Sequence, residues 1–596
     1  MPNIEEKTEE IAWDLSDLFA GPDDPKINAT LAEADARARA FADTYVGKID
    51  CPDLTAATLL KAIQDYESLW MEAGKPGMYA RLAYSTDTSD PARGALMTRI
   101  GEETTRLGLP LVFFRLELAR VADEIIQPLL ADPVLSDYKH YITQVRLGRP
   151  HQLSEVEETL LARFSETGPR AFVRLGTEVR ARTVFTPHLP DGTTPQLNQP
   201  ELTALYSSPD RAVRQAASEA FVAGATPNLK TLTFILNTLM QDKAVSDEIR
   251  HYDTPEETGF RRDELPRATV ELVTDVTVEH YPLAHRYYAL KQTAMGLGTL
   301  KDYDLYAPLP GTDEAFTFAE AQAIVLDAFG AFSPTLRDLA TEFFDKRWID
   351  ASPRPGKQGG AYCSYSTPDT HPFIFTNFLG RLPHVMTLAH EMGHGVHGML
   401  SRGQLYFNMF GTLPMAEVAS LFGEMLVFDK LRTGASPETQ RAMLADKLDS
   451  VVGTMSTTGR YRLEKTLHRQ RRTEGELTPE QISEHWRGEM AALYGDALEM
   501  SERMPLSWSY IPHFYGSPFY SYPYTFGELF ALSLYRKSQE QGPAFAEKYL
   551  TLLSAGGKDT PHTLAKIVGV DLDDPAFWHG GFEVVSGLID AFEALG

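Results

Sequence analysis

Apolar residues recur at three- and four-residue spacing along most of the chain. The stretches LTALYSSPDRAVRQAASEAFVAGA (202–225) and TVELVTDVTVEHYPLAHRYYALKQTAM (269–295) show the pattern and predict amphipathic helices. Helix-start signals repeat at Ser-Pro-Asp (208–210), Ser-Pro-Glu (436–438) and Thr-Pro-Glu (478–480). Each places a hydroxyl cap before a proline and an acid in the first turn. Two stretches depart from this period. Residues 181–196, ARTVFTPHLPDGTTPQ, hold a β-prone run and then Asp191-Gly192, a hairpin signal. Pro, Gly and Asn are dense there, which sets an expected boundary near residue 195, with a helical domain over 1–195 and a second domain over 196–596. Residues 356–380, GKQGGAYCSYSTPDTHPFIFTNFLG, read as a glycine-rich turn leading into a hairpin. The expected fold is mainly α, with a small β-sheet beside the helix that follows this hairpin.

Composition narrows the function classes. The 596 residues are 43% hydrophobic and 23% charged, with a formal net charge of −26. So acidic a chain is a poor ligand for nucleic acid or an anionic membrane, and neither is an expected partner. Its two cysteines, Cys51 and Cys363, form no disulfide framework and fit a reducing compartment. The acidic start MPNIEEKTEEIAWDL has no apolar signal core, and no run of about 18 apolar residues occurs. A cytoplasmic location is expected. The oligomeric state is left open.

Candidate chemistry lies in TLAHEMGHGVHGML (387–400). His390-Glu391-Met392-Gly393-His394 is H-E-x-x-H. On a helix, residues four apart share a face, so His390 and His394 can converge on one zinc ion. Glu391 follows the first ligand and can serve as general base on the water of that site. RLPHVMTLA ahead of it supplies apolar residues that bury the helix. Gly393 and Gly395 cost helix propensity, which implies that something packs close.

A catalytic zinc needs a third protein ligand and an open fourth position. His397 lies about 10 Å along the axis from His390 at 1.5 Å per residue, so a straight helix does not bring it to the same ion. The metzincin pattern H-E-x-x-H-x-x-G-x-x-H would have glycine where His397 stands and histidine where Leu400 stands. His397 is therefore expected to line the pocket or support a ligand. The better third ligand comes from TLPMAEVASLFGEMLVFDKL (412–431), an apolar helix with two acids seven apart, Glu417 and Glu424. Buried acids are costly unless paired or metal-bound. Glu417 is the expected ligand, and Glu424 the acceptor that orients a ligand histidine.

These stretches, taken in order, resemble the M3 oligopeptidases of the oligoendopeptidase F type. The resemblance rests on WDLSDLF (13–19), LKDYDLYAPL (300–309), GKQGGAYCS (356–364), LAHEMGHGVH (388–397), AEVAS with the later GE (416–424), and IPHFYGSPFYSYPYTFGEL (511–529). It implies a two-lobed zincin fold of gluzincin type, mostly α, with a deep central channel that admits short unfolded peptides. It implies that residues 196–596 are the catalytic M3 domain. It also implies one zinc ion per chain on His390, His394 and Glu417, with Glu391 as base.

IPHFYGSPFYSYPYTFGEL contributes His513, Tyr515, Tyr520, Tyr522 and Tyr524. Neutral donors suit an oxyanion that exists only in the transition state. The resemblance implies that a histidine and tyrosines here face the scissile bond; His513 and Tyr524 match best, with Tyr522 the alternative. In the hairpin, Gly359, Gly360, Ala361 and Tyr362 are expected substrate contacts, because an edge strand can accept an extended peptide as a further strand. The expected activity is zinc-dependent hydrolysis of internal bonds in short peptides. A zinc carboxypeptidase or dipeptidyl-carboxypeptidase of related fold is the alternative, and an inactive peptide-binding protein a more remote one.

Overall fold

The computed structural model describes residues 10–311 and 315–596, so most of the acidic start (1–9) lies outside the described residues. Helices dominate, joined by short loops. The expected periodicities appear with two adjustments. Residues 269–295 form two helices, Arg267–Glu279 and Tyr281–Ala294, separated at His280. Pro282, at the start of the second, has no N–H for a continuous ladder. At 208–210 the cap is Asp210, whose carboxylate accepts the Ala212 N–H at 2.8 Å. Ser436 and Thr478 cap their helices as the sequence suggests. The strand expected at 181–196 is reduced to one antiparallel bridge, Phe185 with Leu197, closing over the Asp191-Gly192 turn.

By contacts the chain forms two compact units, each assembled from separated segments. One comprises 1–150, 314–431 and 537–570; the other comprises 151–313, 432–536 and 571–596. The boundary expected near residue 195 falls inside the second unit.

The first unit holds the sheet and the H-E-x-x-H helix. Strands β1 (Ile349–Asp350), β2 (Tyr362–Ser364) and β3 (Phe373–Phe375) make a sheet of order β1-β3-β2. β2 runs antiparallel to β3 with Cys363 opposite Ile374, which is the hairpin read from the sequence. β1 adds in parallel, Ile349 opposite Ile374. Every β3 residue is buried, so this strand is apolar throughout rather than alternating. The loop into β2 is fixed from several sides. Lys357 Nζ donates to the Thr376 carbonyl at 2.6 Å and pairs with Asp350 at 2.7 Å. Asn377 donates to the carbonyls of Gln358 and Gly360, both at 3.0 Å.

After the sheet comes the histidine helix, Leu382–Ser401, with Pro383 in its first turn and Val385, Leu388, Ala389, Met392 and Val396 buried. The helix Leu413–Gly434 follows. In the second unit the longest helix, Pro437–Thr473, buries Val451, Val452, Met455, Tyr461, Leu463 and Leu467. No helix among the described residues is long and apolar enough to cross a membrane.

Candidate metal centre

The histidine helix and the helix Leu413–Gly434 meet backbone to backbone. A Cβ on Gly393 would stand 2.4 Å from the Ala419 carbonyl oxygen and 2.5 Å from the Ser420 Cα. From the other side, a Cβ on Gly423 would stand 2.9 Å from the Phe329 ring and 3.5 Å from the Ala389 carbonyl oxygen. Glycine within H-E-M-G-H is therefore a packing requirement: only a helix without a side chain there lets the second helix come so near. A Cβ on Gly395 would likewise stand 2.8 Å from the Phe343 ring.

That approach places Glu417 beside both motif histidines. Glu417 Oε2 is 3.5 Å from His390 Nε2 and 3.6 Å from His394 Nε2. The three donor atoms all lie within 4.8 Å of one another, and His390, His394 and Glu417 are the set that could hold a metal ion among the described residues. Separations of 3.5–3.6 Å are too long for good hydrogen bonds. They approach the edge of a tetrahedron whose centre is 2.0–2.1 Å from each donor, about 3.3 Å. Two imidazoles and a carboxylate are also the donor chemistry of catalytic zinc sites. The residues present thus fit a divalent ion of zinc's size and preference.

Each donor is oriented from behind. His390 Nδ1 lies 3.4 Å from Glu424 Oε2, where the sequence had placed the orienting acid. Burial alone would push the His390 pKa down, but Glu424, Glu391 and Glu417 together raise it. Burial dominates at His394, whose pKa falls to about 4, although Glu417 and the Ala416 carbonyl act upward. Such a ring is neutral at neutral pH and has a lone pair to offer. The Ser420 hydroxyl donates to Glu417 Oε2 at 3.0 Å, a contact that was not read from the sequence. Its signal was present in AEVAS: a serine three residues after an acid on a helix is within reach of it.

Glu391 is buried, and its Oε2 has no hydrogen-bond partner. Burial chiefly, with Glu417 adding, raises its pKa to about 7 against the opposing pull of His390. His397 stands apart from the donor set. It is buried, its Nδ1 has no partner, and burial with His394 nearby lowers its pKa to about 4. It is a neutral ring packed behind the site.

The sequence model of peptidase family M3 matches residues 204–584, and that of the oligopeptidase F N-terminal region matches 117–185. The chain belongs to peptidase family M3. It is 25% identical over 600 residues to an oligoendopeptidase F homolog of Lactococcus lactis, covering 100% of this chain and 98% of the relative. It is 26% identical over 602 residues to oligopeptidase PepF of Bacillus subtilis, covering 100% of this chain and 88% of the relative. The solved oligoendopeptidase-F of Enterococcus faecium superposes with a TM-score of 0.71 at 25% identity, over 96% of this chain and 98% of the other. A solved chain from Chlamydophila abortus shares the fold at a TM-score of 0.87 and 22% identity, over 99% of each chain. The protein is accordingly a metallo-endopeptidase with a mainly α zincin fold, and peptides are its substrates.

The tyrosine-rich stretch belongs to the second unit. Tyr524 Oη is 3.5 Å from His513 Nε2, with the rings edge to face at 5.9 Å between centroids. His513 also stacks on Tyr520 at 5.6 Å. Burial, with the Arg460 charge adding, lowers the His513 pKa, so the ring is neutral at neutral pH. Tyr522 is differently engaged. Its buried hydroxyl donates to Asp263 at 2.6 Å, and Asp263 is fully buried and paired with Arg262 at 2.8 Å. A hydroxyl so held cannot also be an oxyanion donor without abandoning a buried carboxylate, which leaves Tyr524 as the candidate. The Tyr515 hydroxyl donates to the Ser509 carbonyl at 3.1 Å.

In the first unit, Gly359 and Gly360 are exposed with open space around them, and Gly360 has φ +86°. Ala361 leads into β2, an edge strand of the sheet that begins at Tyr362, and the Tyr362 ring stacks on Phe375 at 5.0 Å.

Proposed function

We propose that the protein is a zinc-dependent oligoendopeptidase that hydrolyses internal bonds of short, unstructured peptides, with one zinc ion per chain. The observation that carries this is the cluster of Glu417 Oε2 with the two Nε2 atoms at 3.5 and 3.6 Å, beside a buried carboxylate with one unpartnered oxygen. His390, His394 and Glu417 hold the ion. Zinc supplies Lewis acidity toward a carbonyl oxygen and makes water acidic near neutral pH. Glu391 accepts the proton of the attacking water at its unpartnered Oε2 and later delivers it to the leaving amine. Its raised pKa suits a group that must both take and give a proton near pH 7. His513 and Tyr524 donate hydrogen bonds to the oxyanion, a role supported by the pairing of two neutral donors at 3.5 Å. Gly359, Gly360, Ala361 and Tyr362 receive the substrate backbone along the β2 edge, which favours loose sequence preference. Residues 196–596 act as the catalytic portion, and a cytoplasmic location fits the two unpaired cysteines.

The test is an internally quenched short peptide blocked at both ends, assayed with chelator and after zinc repletion. Internal cleavage that chelator abolishes and zinc restores supports the reading. Release of residues only from an unblocked C-terminus, with the blocked peptide intact, contradicts it.

A further inference from the structure

The longest helix of the second unit, Pro437–Thr473, turns one face toward residues 513–525. The hydroxyls of Thr457 and Thr458 lie 2.7 and 3.0 Å from that of Thr525. About two turns further on, Glu464 Oε1 accepts the Phe519 N–H at 3.0 Å. Phe519 has φ +57°, a left-handed conformation uncommon for a bulky residue, and Arg262 holds its carbonyl at 3.1 Å. Arg460 stands between these contacts on the same face, three residues after Thr457 and four before Glu464.

Arg460 is half-buried, and its Nε is buried with no hydrogen-bond partner. Among the described residues no carboxylate pairs with its guanidinium. Three other inward-facing arginines of this unit meet a carboxylate, Arg214 with Asp304 at 2.9 Å, Arg503 with Asp302 at 2.9 Å and Arg262 with Asp263 at 2.8 Å, whereas buried Arg180 lies over the Tyr515 ring at 4.3 Å instead. The acid beside Arg460, Glu464, does not play that part. Its Oε1 accepts the Phe519 N–H while its buried Oε2 has no partner, and burial raises its pKa to about 8, so it is uncharged at neutral pH. The groups whose charges act on Arg460 are otherwise phenols, Tyr306, Tyr494 and Tyr524. A partly desolvated guanidinium with no counter-charge is costly, and in a chain of net charge −26 it is not for want of acids. Its fork of donors matches a carboxylate in two-point geometry.

We propose that Arg460, next to His513 and Tyr524, binds a carboxylate of the peptide substrate. This rests on the peptidase reading above and extends it to specificity: the enzyme prefers peptides that bring a negative charge to this position. The carboxylate is either a free C-terminus or an Asp or Glu side chain, since the recognition chemistry is the same. Arg460 carries no step of hydrolysis, so the preference resides mainly in KM.

The experiment compares one short quenched peptide in matched forms: free acid against C-terminal amide, and internal Asp or Glu against Asn or Gln at each position of an otherwise identical amide. Wild type, Arg460→Met and Arg460→Lys are assayed on all forms. In wild type, one charged form is expected to have kcat/KM about tenfold above its neutral partner, the scale of a charge-assisted hydrogen bond. In Arg460→Met this ratio falls to near one, and Arg460→Lys keeps part of it. A ratio near one in wild type for every pair, or a ratio that survives in Arg460→Met, overturns the proposal. Because the readout is a ratio within each variant, partial misfolding lowers both rates and leaves it intact. The two readings fail separately. Cleavage of the blocked amide without any charge preference sinks Arg460 alone, whereas no internal cleavage of any form sinks the peptidase reading.

Discussion

At the residue scale, the decisive contrast is between side chains engaged by the fold and side chains left available. Glu391 is buried with one oxygen unpartnered. Glu391→Gln is expected to lower kcat by about 10²–10⁴-fold, as for loss of a general base, with the zinc content unchanged. Metal analysis beside the rate measurement checks both halves; a variant of near-wild-type rate would remove Glu391 from the mechanism. Tyr522 and Tyr524 should also separate, because the Tyr522 hydroxyl is committed to Asp263. Tyr524→Phe is expected to cost about 10²–10³-fold in kcat with little change in stability. Tyr522→Phe leaves Asp263 short of a donor and is expected to cost about 1–3 kcal/mol of stability, read by urea unfolding. If Tyr522→Phe proved the catalytic defect and Tyr524→Phe the silent one, the assignment would be reversed. The H-E-x-x-H motif and the Glu417–Glu424 spacing were legible because helical period alone puts these groups on shared faces. The fate of Tyr522 was not, since its partner lies 259 residues away and no local rule connects them.

At the scale of elements, the site depends on two helices touching without side chains between them. Gly393→Ala puts a methyl group 2.4 Å from a backbone oxygen, where no flexible end can yield. The helices must separate, with an expected loss of about 1–3 kcal/mol of stability and weaker zinc binding, measurable by denaturant unfolding and metal titration. Unchanged stability would mean that the contact is looser than described. The sequence marked Gly393 as an oddity for a buried helix but could not say what it met. A second element-scale contact is the hold of the long helix on Phe519 through Glu464. Because burial raises the Glu464 pKa to about 8, the folded state keeps a proton that the unfolded chain loses near 4.5. Its contribution to stability is therefore complete below about 4.5 and is lost as pH rises through about 8. Glu464→Gln keeps the acceptor for Phe519 but does not titrate. It is expected to flatten the decline in unfolding midpoint between about pH 5 and about pH 8.5. An unaltered decline would contradict a buried, protonated Glu464. Element types were read well where the apolar period was long. They were overread at 181–196, where β-prone residues yield one bridge because no neighbouring strand extends the ladder.

At the scale of the whole molecule, the two units are each stitched from distant segments, so a boundary drawn from local composition could not anticipate them. The metal centre belongs to one unit, and the His513–Tyr524 pair to the other. The family match covers 204–584, which includes all five of His390, Glu391, His394, Glu417 and Tyr524. The most direct measurement is zinc stoichiometry and blocked-peptide hydrolysis on the same preparations of wild type, Glu391→Gln and Glu417→Gln. The expected result is one zinc per chain with cleavage in wild type, one zinc without cleavage in Glu391→Gln, and loss of both in Glu417→Gln. A Glu417→Gln enzyme that keeps its zinc and its activity would contradict the proposed centre.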